Sequence, residues 1–251
     1  MKPIKIGLVG TGSISNAHMS GYSKLAEQGK VELVAACDIN VDRAKAWAEK
    51  YGFKEVYGSH TEMLEKSDID AISVCTWNNS HAQIAIDALH AGKHVLCEKP
   101  PAMTVEQALA MQKAEQESGK LLMIGFVRRF GDNAELVKEF SDKGFFGDVN
   151  FAKIAVTRRC GCPLGWFANS ELSGGGPLLD NGVHLIDLVR YLTGKPKAVS
   201  CYASTYNNMG SRTNIKGVER YASVDPSDFN DVEDLAVGMV KFDNGMSMSL
   251  E

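Results

Sequence analysis

The first half of this sequence alternates two kinds of segment, and that alternation restricts the fold more than any other feature. Short runs that are apolar almost throughout occupy residues 4–9, 31–37, 71–75, 94–97 and 121–125. Stretches of helical character at 14–28, 41–51, 80–91 and 104–118 separate them. A strand that is apolar on both faces must be covered on both faces. Strand–helix repetition with short loops therefore predicts a parallel, doubly wound α/β sheet. Gly29, Gly52, Gly92 and Gly119 stand where the helices are expected to stop. Asp38, Asn40 and Thr104 offer side-chain oxygens to the amides that open the next ones.

The pattern changes near residue 126. Longer strand-like segments follow at 148–159, 197–205, 234–242 and 246–251, with two evident helices at 133–143 and 177–192. Strands with few helices predict an α+β domain built on an open, mostly antiparallel sheet. The expected boundary lies at Gly125, giving domains 1–125 and 126–251. Residues 205–229 are polar and irregular and read as a loop over one edge. Phe242-Asp-Asn-Gly245-Met246 reads as a hairpin turn. The return strand reaches Glu251 with no cap or polar tail, so a longer parent protein is expected.

Bulk chemistry excludes several classes of function. A net charge of −4 disfavours broad affinity for nucleic acid or anionic lipid. No run approaches the ~18 apolar residues of a membrane span, and the start carries no signal-peptide pattern. The six cysteines are Cys37, Cys75, Cys97, Cys160, Cys162 and Cys201. They read as reduced thiols, and no metal site is expected, since Cys160-Gly-Cys162 lacks a second pair of ligands. A cytoplasmic location is expected.

Gly10-Thr-Gly12-Ser13-Ile14-Ser15 follows the first strand and opens a helix. This is a G-x-G-x-x-G arrangement with serine in the third small position. Gly10 serves the tight turn, Gly12 admits a pyrophosphate, and the helix amides around Ser13 and Ile14 face the phosphates. Asp38 closes the second strand and suits the two adenosine ribose hydroxyls, so NAD is expected rather than NADP. Arg43 reads as a surface helix residue. Thr76 and Asn78, after the strand at 71–75, are expected cofactor contacts. His81 reads equally as a cofactor contact or as a packing residue.

Glu98-Lys99-Pro100 follows the strand at 94–97, which puts Glu98 and Lys99 at the carboxyl edge of the sheet beside the expected nicotinamide. A lysine ammonium there can hold a reacting alcohol or carbonyl oxygen and relay a proton. Asp180 and His184 are spaced i, i+4 in Gly174-Gly-Gly-Pro-Leu-Leu-Asp180-Asn-Gly-Val-His184. On an α-helix that puts them on one face, a turn apart. Leu179, Val183, Ile186, Val189 and Leu192 form the expected buried stripe, and the triple glycine is expected to admit a ligand. Trp166 and Phe167 precede the glycine run, and an aromatic there can stack on a sugar face or pack in the core, with Trp166 the candidate substrate contact. One of Arg128, Arg129, Arg158 and Arg159 is a candidate for a polar or anionic substrate, and Asp187 is not read as catalytic.

Taken together, Val9-Gly-Thr-Gly-Ser-Ile14, Glu98-Lys-Pro100, Gly174-Gly-Gly-Pro-Leu-Leu-Asp-Asn-Gly-Val-His184 and Phe242-Asp-Asn-Gly245 resemble the Gfo/Idh/MocA family, which includes glucose–fructose oxidoreductase and inositol dehydrogenase. The resemblance implies a Rossmann domain followed by an open sheet that often makes oligomer contacts, hence a homo-oligomer. It implies Lys99, Asp180 and His184 as the catalytic set, and a sugar, polyol or inositol-like substrate. Hydride transfer to nicotinamide is the implied reaction. Two other functions stay open: an NAD-dependent glycosidase working by transient oxidation, and a non-catalytic cofactor-binding regulator.

Overall fold

The structure, a computed structural model, describes residues 2–158, 163, 165–208 and 229–251. Arg159, Cys160, Cys162 and most of the expected 205–229 loop lie outside the described residues. The chain divides into two compact units, Met1–Gly125 and Phe126–Glu251.

The first unit runs β1 (Ile4–Val9), α1 (Ser15–Glu27), β2 (Val31–Cys37), α2 (Val41–Tyr51), β3 (Glu55–Tyr57), α3 (His60–Lys66), β4 (Ala71–Val74), α4 (Asn78–His90), β5 (His94–Cys97), α5 (Val105–Ser118) and β6 (Leu122–Ile124). The six strands lie in the order β3-β2-β1-β4-β5-β6, and every pairing is parallel. Two apolar clusters fill this unit. Val9, Ile72, Val74, Val95 and Leu89 belong to one, and Leu8, Met19, Trp47 and Phe53 to the other. That accounts for strands that are apolar on both sides. Asn40 caps α2 through the Arg43 amide, and Thr104 caps α5 in a reciprocal box with Gln107. β3 and α3 were not expected. Their three and seven residues are too short to show a period.

The second unit contains α6 (Asp132–Asp142), β7 (Phe151–Ile154), α7 (Ser170–Ser173), α8 (Val183–Leu192), β8 (Ala198–Tyr206), β9 (Leu235–Phe242) and β10 (Ser247–Leu250). Its sheet order is β7-β10-β9-β8. The β8–β9 and β9–β10 pairs are antiparallel and the β7–β10 pair is parallel. The sheet is therefore mixed. Gly245 alone takes positive φ in the β9–β10 turn, while Asn244 Oδ1 accepts the Met246 amide.

The expected stripe on the long helix needs correction. Residues Leu178–Gly182 form a π-helical turn before α8. Leu178, Leu185, Ile186 and Val189 pack on Ile154, Phe242, Met246 and Met248, and Leu179, Val183 and Leu192 are not in that cluster. A π turn holds more residues than an α turn, so it rotates the upstream positions relative to the α-helical reading.

Candidate active site

The carboxyl ends of β1, β2, β4 and β5 carry most of the polar residues singled out in the first unit. The strand order reverses between β1 and β4, which is where a doubly wound sheet opens a crevice. Gly10 has φ of 94°, and a Cβ there would stand 2.5 Å from the Cys75 carbonyl oxygen. Only glycine lets β1 turn so close to β4. Gly12 differs: a Cβ there would meet nothing within 4 Å. The backbone at Gly12 thus borders open space. Ser15, fully buried, donates its hydroxyl to the Gly12 carbonyl at 2.6 Å. α1 starts at Ser15 with no side-chain cap and no acid in its first turn. No side chain takes its opening amides, unlike those of α2 and α5, though Asn16 and Ala17 turn back to the Ser13 and Ile14 carbonyls. This cradle fits a dinucleotide pyrophosphate.

Asp38 sits at the end of β2 and is 4% exposed. It accepts the Thr11 amide and hydroxyl at 2.8 and 2.9 Å and the Asn40 amide at 2.8 Å. Arg43 is an exposed residue of α2, as expected, and its guanidinium also donates to both Asp38 oxygens at 2.7 and 2.8 Å. One turn along α2 from the Asn40 cap, it has the reach to do so. Burial pushes the Asp38 carboxyl up, but Arg43, Asn40 and Thr11 outweigh it and hold it below the ordinary aspartate value.

After β4, the Ser80 hydroxyl donates to Thr76 Oγ1 at 2.7 Å, and Asn78 is buried at the start of α4. His81 is 1% exposed, with Nδ1 2.8 Å from the Pro100 carbonyl and Nε2 3.0 Å from the Thr76 carbonyl. Of the two roles expected for His81, the geometry fits packing, since both ring nitrogens face backbone carbonyls, to one of which the neutral ring donates. Burial lowers its pKa, and the two carbonyls only partly oppose that.

After β5, Glu98 is buried and Lys99 is half-buried. Glu98 accepts the Lys99 amide at 3.2 Å, and its other oxygen lies 2.8 Å from His18 Nε2. His18 Nδ1 lies 3.3 Å from Ser73 Oγ, which is 2.6 Å from the Tyr22 hydroxyl. Sequence reasoning missed His18, Tyr22 and Ser73. The signal was available: a polar i, i+4 pair on the helix after the glycine turn, and one serine inside an apolar strand.

In the second unit, Arg158, Asp180, Asn181, Asp234 and Phe167 line a cavity with Gly176 and Pro177. Arg158 donates to Asn181 Oδ1 at 2.7 Å and lies 3.5 Å from Asp180 Oδ2, to which the Asn181 amide also donates. Asp180 belongs to the π turn and His184 to the first turn of α8. The premise of an uninterrupted α-helix is thus corrected: four residues fall short of a full π turn. Trp166 stacks on Phe167 with ring centroids 3.9 Å apart. Gly176, which lines this cavity, meets a further requirement that the sequence did not show. A Cβ on Gly176 would stand 1.9 Å from the Glu233 carbonyl oxygen, and Glu233 caps the Gly176 and Leu178 amides. The close approach is to the chain itself. Arg129 pairs with Asp187 and lies against the rings of Phe126 and Tyr191, a structural arrangement; Arg128 is exposed. Among the described residues, no group of three or more acidic, histidine or cysteine side chains could hold a metal ion. Burial pushes the Cys37 thiol up to about 12, and Cys75 and Cys97 rise for the same reason.

Residues 4–126 match the oxidoreductase family with an NAD-binding Rossmann fold, and residues 135–251 match the GFO/IDH/MocA C-terminal domain. The chain belongs to the Gfo/Idh/MocA family. As a member of it, the chain is an NAD-dependent oxidoreductase. It is 37% identical over 252 residues to the D-glucoside 3-dehydrogenase of Escherichia coli, covering 99% of this chain and 70% of that one. It is 30% identical over 192 residues to the myo-inositol 2-dehydrogenase of Thermotoga maritima, covering 76% and 55%. Its fold is similar to levoglucosan dehydrogenase solved with NADH and levoglucosan, with a TM-score of 0.84 at 28% identity, covering 99% and 66%. The chain therefore spans 55–70% of the length of these Gfo/Idh/MocA relatives. No helix among the described residues is long and apolar enough to cross a membrane.

Proposed function

We propose that the protein oxidises a secondary hydroxyl of a sugar or polyol, or reduces the matching ketone, with NAD as redox partner. The reading is carried by the placement of Lys99 directly after β5, on the same sheet edge as the Gly10–Gly12 cradle and Asp38. Gly12, Ser13 and Ile14 hold the pyrophosphate, Asp38 the adenosine ribose, and Thr76, Asn78 and Glu98 border the rest of the cofactor. When bound, NAD supplies the hydride acceptor.

The chain's own residues manage the proton and the oxygen. Lys99 donates a hydrogen bond to the reacting oxygen and stabilises negative charge there as the carbon–hydrogen bond breaks. His184 takes the hydroxyl proton as a general base, and Asp180 orients the imidazole or binds an adjacent hydroxyl. Arg158 and Asn181 fix Asp180 and offer further donors to substrate hydroxyls. Trp166, stacked on Phe167, presents an apolar face suited to a sugar ring. The relatives' names, a glucoside 3-dehydrogenase and an inositol 2-dehydrogenase, support a ring secondary alcohol as the reacting group.

We also propose a cytoplasmic setting, which the need for a nicotinamide pool supports. We also assign a homo-oligomer assembled through the outer face of the second sheet.

The test is NAD reduction by the full-length protein across alkyl glucosides, levoglucosan, inositols and sugar acids. The expected result is turnover of at least one ring polyol. His184→Ala should then lower kcat by about 10²–10⁴. A panel without turnover, or a His184→Ala variant within a few-fold of wild type, would contradict the assignment.

A further inference from the structure

Tyr22, Ser73 and His18 form a part-buried polar chain that ends on Glu98, and none of these three takes part in the steps above. We propose that His18 is a positioning residue for Lys99, acting through Glu98. The proposal rests on the catalytic reading of Lys99.

Glu98 is 8% exposed, and a carboxylate so deep is costly unless its oxygens are satisfied. One oxygen faces His18 Nε2 at 2.8 Å, and the other accepts the amide of Lys99 itself at 3.2 Å. Gly125 closes the remaining side: even a Cβ there would reach within 3.3 Å of the carboxylate. Glu98 is thus held between the imidazole and the Lys99 amide. The imidazole is in turn fixed by Ser73 at 3.3 Å, and Ser73 by the Tyr22 hydroxyl at 2.6 Å. A carboxylate only accepts, so Nε2 donates to Glu98. Burial raises the Glu98 carboxyl, but the His18 bond and the neighbouring Lys99 bring it below the ordinary value, so it stays charged.

The other flank of Lys99 is held in the same manner. The Pro100 carbonyl faces His81 Nδ1 at 2.8 Å. Two buried imidazoles therefore anchor the residues on either side of Lys99, which leaves the lysine side chain as the adjustable part. Packing alone does not call for this arrangement, because apolar side chains of similar volume would fill the space at no desolvation cost. Its product is a fixed backbone at residue 99. His18 also lies one turn into α1, the helix that opens on the glycine cradle, so the element that meets the phosphates is tied to the lysine. A misplacement of about 1 Å at a reacting group costs about 10²-fold in rate.

A double-mutant cycle on the full-length protein tests this, using the panel compound turned over fastest and saturating NAD. His18→Leu should lower kcat about 10- to 100-fold, with KM values changed less than about threefold. His18→Gln, whose amide can replace the Nε2 donor, should recover most of the loss. In a Lys99→Met background His18→Leu should cost nothing more, because the two residues act as a unit. Tyr22→Phe, a gentler change, should lower kcat about two- to fivefold by the same cycle. Selective ¹⁵N-lysine labelling gives a readout without turnover. The Lys99 amide resonance, identified by its loss in Lys99→Met, should shift in His18→Leu and return in His18→Gln. An unmoved amide, or an equal further loss in the Lys99→Met background, overturns the positioning role. Wild-type kcat in Lys99→Met alone overturns the catalytic reading of Lys99, and the amide shift then still decides whether His18 sets its backbone.

Discussion

At the scale of single residues, Asp38 shows how a charge can be both satisfied and available. Its two oxygens already hold two amides, a hydroxyl and the Arg43 guanidinium. The amides belong to the turn and cannot leave, whereas Arg43 is 42% exposed at its side chain and can swing into solvent. Ribose hydroxyls would then replace it. The same guanidinium reduces the repulsion Asp38 exerts on a 2′-phosphate. Arg43→Ala should leave NAD affinity within about threefold and weaken NADP by about tenfold, roughly 1.4 kcal/mol, in a fluorescence titration of both cofactors. Tighter NADP binding would show that Arg43 plays no such part. His81 carries a second prediction. Its folded pKa lies below the unfolded value, so the unfolded chain binds a proton first as pH falls. Its contribution to stability is present above the unfolded value of about 6.5 and declines below it, by no more than about 1.4 kcal/mol per pH unit. Denaturant midpoints at pH 5.5 and 7.5 should differ more in wild type than in His81→Gln. Asp38 was legible because the end of the second strand has a fixed meaning in this topology. Arg43 was not, because a side chain on an exposed helical turn has many places to point.

At the scale of elements, the glycines separate two kinds of requirement that look alike in sequence. Gly12 borders open space, while Gly176 is pressed against the backbone of Glu233. Gly12→Ala should leave the melting temperature within a degree or two and weaken NAD binding by about tenfold or more, since only a ligand would meet the new methyl. Gly176→Ala should instead destabilise the second unit by about 3 kcal/mol, as the strain of overpacking against immovable backbone. Calorimetry and cofactor titration on both variants distinguish the two. A Gly176→Ala protein with wild-type stability would refute the packing role. The sequence could not separate these cases, because Glu233 lies 57 residues downstream and nothing local marks it as the cap. For the same reason the π turn escaped notice: the apolar positions of residues 177–192 fit an α-helical period well enough to hide the extra rotation. The long apolar strands and capped helices of the first unit were readable because the forces that form them are local.

At the scale of the molecule, the second sheet poses a problem that a single chain leaves unsolved. β9 is apolar on both faces. Ala236, Val240 and Phe242 pack toward α8, while Leu235, Val237 and Met239 face the other way. On that outer face Met239 pairs with Tyr202 and Leu235 with Tyr206, across β8. Tyr202 is 82% exposed and Phe151 on β7 is 54% exposed. Antiparallel strands with one solvated face ordinarily alternate apolar and polar residues, and β9 does not. An exposed apolar sheet face of this kind marks a surface for association. If a second copy covers it, a charge at its centre should separate the copies while leaving each fold intact, because the side chain touches solvent in the isolated chain. Tyr202→Glu in the full-length protein should therefore reduce the mass measured by light scattering to that of a monomer at micromolar concentration, with far-UV dichroism unchanged. An unaltered assembly mass would place the subunit contact on another surface, and an already monomeric wild type would remove the need for one.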